Sequence, residues 1–110
     1  MEVTSRVTDG SVIVVVEGEV DLYSSPNLRH ELVHWTQENM LSLIVDLGGV
    51  TYMDSSGIAT LVEGLQLTTR YGGRLKIARL SPAVQEVFKF AHLDKAFSVF
   101  DSVDEALRTS

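Results

Sequence analysis

The 110-residue chain carries a formal net charge of −6, contains no cysteine, and is 45% hydrophobic and 22% charged. This acidic balance argues against a general nucleic-acid-binding protein, and the lack of cysteine excludes a disulfide framework, a thiolate nucleophile and a cysteine metal site. No apolar stretch approaches the ~18 residues that span a bilayer and no signal pattern opens the chain, so we expect one cytoplasmic domain over residues 1–110.

The first 20 residues predict a β-hairpin. Glu2–Val7 can form one strand, and the β-branched residues of Val12–Val16 favour a second, with Asp9–Gly10 as the turn signal. The second run does not alternate, which predicts a strand buried on both faces. We expect the chain to leave this strand over Glu17–Asp21.

Ser25–Pro26 predicts the start of the first helix, which we expect to end about Glu38–Asn39. Its apolar face is Leu28, Leu32 and Trp35. On the same helix His30 and His34, with Glu31 between them, match the zinc-protease pattern. At about 100° per residue the two imidazoles point away from the apolar face, and the downstream third histidine of the extended motif is missing, so we set zinc catalysis aside.

Leu43–Asp46 predicts the central strand, and Gly48–Gly49 predicts a turn before Val50–Tyr52. A second helix is expected over about Ser56–Tyr71, because apolar residues recur there at helical spacing and Gly72–Gly73 is a C-terminal stop signal. Its predicted core stripe is Ile58, Leu61, Val62, Leu65 and Thr69.

Further along the chain, Arg74–Ala78 alternates polar and apolar residues and predicts a half-buried strand. Ser81–Pro82 begins a third helix, Phe97–Phe100 predicts a short strand, and Ser102–Glu105 has the spacing of a capping box at the start of a last helix. The residues of the third helix expected to point inward are Val84, Val87 and Phe88. The order β-β-α-β-α-β-α-(β)-α predicts an α/β fold with a mixed, mainly parallel sheet of four to five strands and about four helices.

The polar cluster Asp54–Gly57 lies between the central strand and its helix. Ser55 or Ser56, with Ser56 preferred, would cap the helix by accepting a backbone N–H, worth ~1 kcal/mol. Ser55 would also suit a phosphate, with Ser56 as the fallback site, because free N–H groups and the helix dipole stabilise negative charge there. Asp21 and Asp54 both follow strand ends, so we expect them at one edge of the sheet, where a phosphate would change the charge that a partner meets.

A partner surface is also predicted on the second helix. Thr60, Gly64 and Leu67 fall on the side opposite its predicted core stripe, where small residues would permit close approach of another protein.

A serine hydrolase is the remaining enzyme hypothesis. It is disfavoured because Asp54–Gly57 is not a Gly-x-Ser-x-Gly elbow and because His92 is best explained as a local polar or capping contact. A phosphate-binding loop ending in Gly-Lys-Ser/Thr is also absent from the sequence.

Val50–Ile58, preceded by Ile44–Leu47, resembles the signature of anti-sigma factor antagonists of the STAS domain family. The similarity continues in Gly18–Asp21, Gly72–Leu75 and Leu80–Val84. This resemblance implies partner switching, in which the unphosphorylated antagonist binds an anti-sigma factor that is also a serine kinase. The kinase would use ATP to phosphorylate the serine after the aspartate, and a metal-dependent serine phosphatase would reverse the step.

Carried onto this chain, the resemblance implies Ser55 as the phosphorylated residue, with Asp21, Asp54, Ser56 and Gly57 as recognition residues. It implies a kinase substrate rather than an enzyme. We expect no catalytic residue, cofactor or metal, and no nucleic-acid or membrane partner. The alternative within the family is a non-switching scaffold or accessory subunit of a stressosome-like or lipid or anion transport complex, in which the serine is only a cap.

Overall fold

The computed structural model describes residues 1–109. Its elements are β1 (Glu2–Thr8), β2 (Ser11–Val20), α1 (Ser25–Gln37), β3 (Ser42–Met53), α2 (Ser55–Arg70), β4 (Arg74–Ala78), α3 (Pro82–Phe90), β5 (Ser98–Phe100) and α4 (Val103–Arg108). The predicted order of strands and helices and the α/β class are confirmed. Within residues 1–109, none of the helices is both long and apolar enough to cross a membrane.

The strands form one sheet in the order β1-β2-β3-β4-β5. β1 runs antiparallel to β2, and the other neighbours are parallel. The hairpin turn is formed by Asp9 and Gly10, whose φ angles of 49° and 82° are those of a two-residue hairpin turn with matching twist. The predicted mixed sheet and its antiparallel N-terminal strand are therefore confirmed.

Two expectations about β2 and β3 are wrong. β2 does not end at Glu17 but continues to Val20, and Gly48–Gly49 is not a turn but part of β3. The pairing of β2 with β3 shifts register twice, between Val15 and Glu17 and between Gly18 and Glu19, with one extra residue on β3 at each shift. These bulges interrupt the alternation that would have identified a long strand. The core residues of β3 are Leu43, Val45, Leu47, Val50 and Met53.

Helices cover the two faces of the sheet unequally. α1, α2 and α3 pack on one face, where Leu32, Leu61 and Phe88 join the main core cluster. The other face has a smaller cluster, in which Ala106 of α4 covers the side chains of Ile13, Ile44 and Ala78. Because both faces are covered near its middle, the sheet is buried at its centre and its functional loops lie at strand ends.

β4 is buried along four of its five residues, so the predicted half-buried strand is wrong. The reason is Lys76, which faces α4 and is only 4% exposed. Its ammonium group donates hydrogen bonds to the carbonyl oxygens of Ala106 and Thr109 at the end of α4. Burial lowers the pKa of Lys76. Lys76, one of the polar residues of the alternating pattern, thus holds α4 against the sheet by hydrogen bonds.

Candidate functional site

The parallel pairing of β2 with β3 brings two loops to one edge of the sheet. The last paired residues are Val20 and Met53, and the backbone N–H of Asp54 donates to the carbonyl oxygen of Val20 at 3.1 Å. Asp21 and Asp54 therefore leave neighbouring strands side by side. The predicted meeting of the two aspartates at one edge is confirmed.

Asp54 caps α2, so the predicted serine cap is wrong. Its Oδ1 accepts the backbone N–H of Ser56 at 2.9 Å and the Ser56 hydroxyl at 2.5 Å. The Ser56 hydroxyl, with the backbone N–H groups of Ser56, Gly57 and Leu22, holds the pKa of Asp54 below 3.8 against the opposing effect of desolvation. The carboxylate therefore stays ionised at neutral pH and joins the start of α2 to the loop after β2.

Asp21 organises the loop that leads from β2 into α1. Its Oδ1 accepts the backbone N–H groups of Tyr23 and Ser24, each at 3.0 Å, and lies 3.1 Å from the Ser24 hydroxyl. The N–H of Ser24 is the largest influence lowering the pKa of Asp21, while the negative charge of Asp54 acts in the opposite direction. The edge thus holds two ionised carboxylates close enough to interact.

The two serines at the start of α2 differ in their surroundings. Ser56 is half-buried, and its hydroxyl is bound to Asp54. Ser55 is exposed, and no residue within the described chain accepts or donates a hydrogen bond at its hydroxyl. The expectation of several free N–H groups is met only in part, because those of Ser56 and Gly57 point at Asp54.

Gly57, which the resemblance implies as a recognition residue, is buried at the start of α2. A Cβ at this position would lie 2.7 Å from Cγ of Met53 and 2.8 Å from Cγ1 of Val20. Both distances are shorter than carbon atoms tolerate, so glycine is needed for the first turn of α2 to pack against the ends of β2 and β3.

The predicted partner surface on α2 is largely inside the protein. Thr60 is only 7% exposed and Gly64 is buried, so neither can offer its side to a partner. A Cβ on Gly64 would lie 3.1 Å from Cδ1 of Leu32 and 3.0 Å from Cδ1 of Leu75, because α1 packs over this side of α2. Leu67 is half-buried.

The buried face of α2 is rotated from the predicted one. Its buried residues are Gly57, Thr60, Leu61, Gly64 and Thr68. Each residue of the predicted stripe lies one position after one of these, a rotation of about 100°. Small residues occupy the buried face since they let α2 approach α1 and the sheet closely, and this displaces Ile58, Val62 and Leu65 to half-buried positions.

Two exposed apolar side chains beside the aspartates were missed. Leu22 is 70% exposed and Tyr23 is 90% exposed, in the loop whose N–H groups bind Asp54 and Asp21. Tyr52, two residues before Asp54, is 49% exposed. The sequence signal was available in the pair Leu22-Tyr23, which follows a strand end and falls outside the apolar face of α1.

The histidines lie away from this edge. His30 and His34 are exposed on α1, as the helical spacing predicted. His92 follows α3 with a left-handed φ of 58°, and its backbone N–H donates to the carbonyl oxygen of Lys89 at 3.2 Å. This backbone bond closes the end of α3.

Comparison with known proteins identifies the family. The sequence model of the STAS domain matches residues 2–106. The anti-sigma-B factor antagonist of Bacillus subtilis is 31% identical over 93 residues, which cover 84% of each chain. A crystal structure of an anti-sigma factor antagonist from Mycobacterium paratuberculosis superposes with a TM-score of 0.89 at 24% identity, over 96% of this chain and 90% of that chain. The Bacillus cell fate determinant SpoIIAA in its phosphorylated form superposes with a TM-score of 0.77 at 21% identity, over 96% of each chain. The chain therefore belongs to the STAS domain family, and its relatives there include anti-sigma factor antagonists.

Proposed function

We propose that this protein is an anti-sigma factor antagonist switched by phosphorylation of Ser55. Unphosphorylated, it binds an anti-sigma factor that is also a serine kinase and thereby frees a sigma factor. Phosphorylation of Ser55 by that kinase releases it, and a serine phosphatase restores the binding form. The observation that carries the proposal is an exposed Ser55 hydroxyl without a hydrogen bond inside residues 1–109, beside two ionised aspartates.

The choice of Ser55 over Ser56 rests on access. A kinase must bring the serine oxygen in line with the γ-phosphorus of ATP, so the hydroxyl has to be free of the substrate's own structure. Ser55 meets this condition. Modification of Ser56 would first require its hydroxyl to leave Asp54, which costs a charge-assisted hydrogen bond of the α2 cap.

A phosphate on Ser55 would alter the surface more than the fold. It adds about −1.5 to −2 charges at neutral pH. Water screens the repulsion between this phosphate and the carboxylates of Asp21 and Asp54, and the start of a helix offsets part of it. The domain can absorb this cost, whereas a partner seated on the same edge would have to bury the added charge.

The exposed side chains beside Ser55 suggest what the partner offers. Leu22 and Tyr23 supply apolar area that a partner can cover, and Asp21 and Asp54 supply negative charge next to it. We infer a partner surface that combines an apolar pocket with basic side chains. Gly57, Thr60 and Gly64 support this edge from inside and do not contact the partner.

The test is phosphorylation by the anti-sigma factor kinase encoded in the same organism. The protein, Ser55→Ala and Ser56→Ala are each incubated with the kinase and ATP, and the phosphate is located by mass spectrometry. We expect the label on Ser55 in the wild type, none in Ser55→Ala, and continued labelling of Ser55 in Ser56→Ala. Ser55→Asp should weaken binding to the kinase at least about tenfold, ~1.4 kcal/mol.

Ser55→Asn is the matched control for that binding measurement, since it has the shape of the aspartate without its charge. Label on Ser56 in the wild type would move the switch to the neighbouring residue and contradict the assignment. Absence of any label, together with unchanged binding by Ser55→Asp, would favour the non-switching scaffold or accessory subunit.

A further inference from the structure

β1 is an open edge of the sheet. It is seven residues long, and within residues 1–109 its only strand neighbour is β2. Its pairing with β2 runs without a register shift, and it contains no proline. Edge strands are commonly blunted by shortness, a bulge, a proline or charged side chains, because a regular free edge pairs with other strands. Of these devices β1 has only the charges of Glu2 and Arg6. The opposite edge, β5, has only three residues.

The hairpin geometry determines which backbone groups of β1 are free. Thr8 and Ser11 flank the two-residue turn and are paired, so they exchange hydrogen bonds. Hydrogen-bonded and non-hydrogen-bonded pairs alternate along antiparallel strands. The even-numbered residues of β1 therefore bond to β2, while Val3, Ser5 and Val7 direct their N–H and C=O groups outward.

The side chains of β1 are complementary to a second copy of the same strand. An antiparallel pairing centred on Thr4 sets Glu2 of one chain opposite Arg6 of the other, twice by symmetry. The same register sets Val3 opposite Ser5, whose outward backbone groups can exchange hydrogen bonds. Thr4 and Arg6 pair with Val15 and Ile13 of β2 and so point to the face on which α4 packs, where both are exposed.

We propose that a second copy of this chain binds along β1, which extends the sheet across a two-fold axis at Thr4. The charges of Glu2 and Arg6 favour this register. With the two-fold axis at Val3, Glu2 would face Thr4 of the other chain, and with the axis at Ser5, Arg6 would face Thr4. In both of these neighbouring registers the charged side chain faces an uncharged one. The interface consists of one short strand from each chain, which corresponds to a weak, reversible dimer rather than an obligate one. Ser55 takes no part in it.

A charge-swap series tests the register. Sedimentation velocity over a range of concentrations is measured for the full chain, for Glu2→Arg and for Arg6→Glu. Each variant sets like charges opposite each other in its own dimer, and we expect its dimer dissociation constant to rise about tenfold. An equimolar mixture of the two variants restores both opposite-charge pairs and should return to the wild-type constant.

A cysteine pair tests the two-fold axis. The chain has no cysteine, so Thr4→Cys introduces a single thiol. Residues in a non-hydrogen-bonded antiparallel pair have Cα atoms ~4.5 Å apart, within disulfide range. Mild oxidation should therefore cross-link Thr4→Cys. Thr8→Cys, on the same strand and face, should not cross-link because residue 8 lies far from its symmetry mate.

Three results would overturn the proposal. One is a wild-type chain that stays monomeric at every concentration. Another is a dimer that neither charge reversal weakens, which would locate the contact elsewhere. The third is cross-linking of Thr8→Cys as efficient as that of Thr4→Cys, which would exclude the register. Circular dichroism of each variant verifies that the hairpin is folded.

Discussion

Asp54 contributes both to the pairing of the central strands and to the candidate site. Its backbone continues the pairing of β3 with β2 through the hydrogen bond to Val20, and its carboxylate accepts hydrogen bonds from N–H groups of α2 and of Leu22. Sequence reasoning located the Asp54–Gly57 cluster but chose a serine as the cap. Aspartate and serine cap helices about equally well, so the choice depends on where β3 ends, and this is a tertiary feature.

The Asp54 cap should be lost in acid. The pKa of Asp54 is lowered in the folded protein, so its contribution to stability is complete above the unfolded value near 3.8 and disappears as the pH falls through the lower folded value. Urea unfolding of the wild type and of Asp54→Asn between pH 7 and pH 2.5 should show a stability difference that shrinks below pH 3.8.

Ser55→Ala serves as the control for this titration. It changes the same turn without removing an ionisable group, so its stability difference from the wild type should stay constant over the same range. An Asp54→Asn difference that persists unchanged at pH 2.5 would show that the carboxylate charge does not stabilise the cap.

At the scale of elements, α2 shows the limit of hydrophobic periodicity. The period and the end of the helix were predicted, but its buried face was misplaced by one residue. Hydrophobicity selects Ile58, Val62 and Leu65, whereas the fold buries the smaller residues Gly57, Thr60 and Gly64 so that α1 and α2 can approach. A sequence pattern ranks residues by polarity and carries no information on the distance between two helices.

Gly64 should be intolerant of a larger side chain. Gly64→Val forces methyl groups against Leu32 and Leu75 where even a Cβ is tightly packed, and we expect a loss of about 1–3 kcal/mol in the free energy of unfolding. Gln66→Val, on the exposed side of the same helix, controls for β-branching and should change stability by less than ~0.5 kcal/mol. Equal losses in the two variants would refute the close α1–α2 contact.

For the whole molecule, alternation of strands and helices was enough to predict the class, the element order and the edge on which the two aspartates meet. The burial of β4 against α4 could not be predicted, because it depends on Lys76. In the sequence, Arg74 and Lys76 look like the solvent side of a half-buried strand. In the structure, the carbonyl groups at the end of α4 satisfy the ammonium group and make its burial tolerable.

Lys76→Met should loosen α4 without disturbing the rest of the domain. Methionine fills the space of the lysine stem but cannot donate to Ala106 and Thr109, and hydrogen bonds to a charged group contribute about 1.5–3 kcal/mol. We expect hydrogen–deuterium exchange of the α4 amides to accelerate at least about tenfold while those of β2 and β3 are unchanged. Lys89→Met, at an exposed position on α3, should leave the α4 amides as protected as in the wild type. Unchanged α4 exchange in Lys76→Met would exclude this role for the lysine.

The two extra residues of β3 lie between stretches of regular pairing with β2. Each bulge gives β3 one residue more than β2 without disturbing the pairs that follow, so Met53 still lies opposite Val20. Deleting Gly48 or Gly49 would remove the extra residue of the first bulge, and the pairs from Gly18 and Val50 onward would be unchanged. In a regular strand a single-residue deletion turns every later side chain to the opposite face of the sheet. At these two glycines the same deletion would leave Asp21 and Asp54 aligned, so the Ser55 edge should tolerate a shorter β3 there.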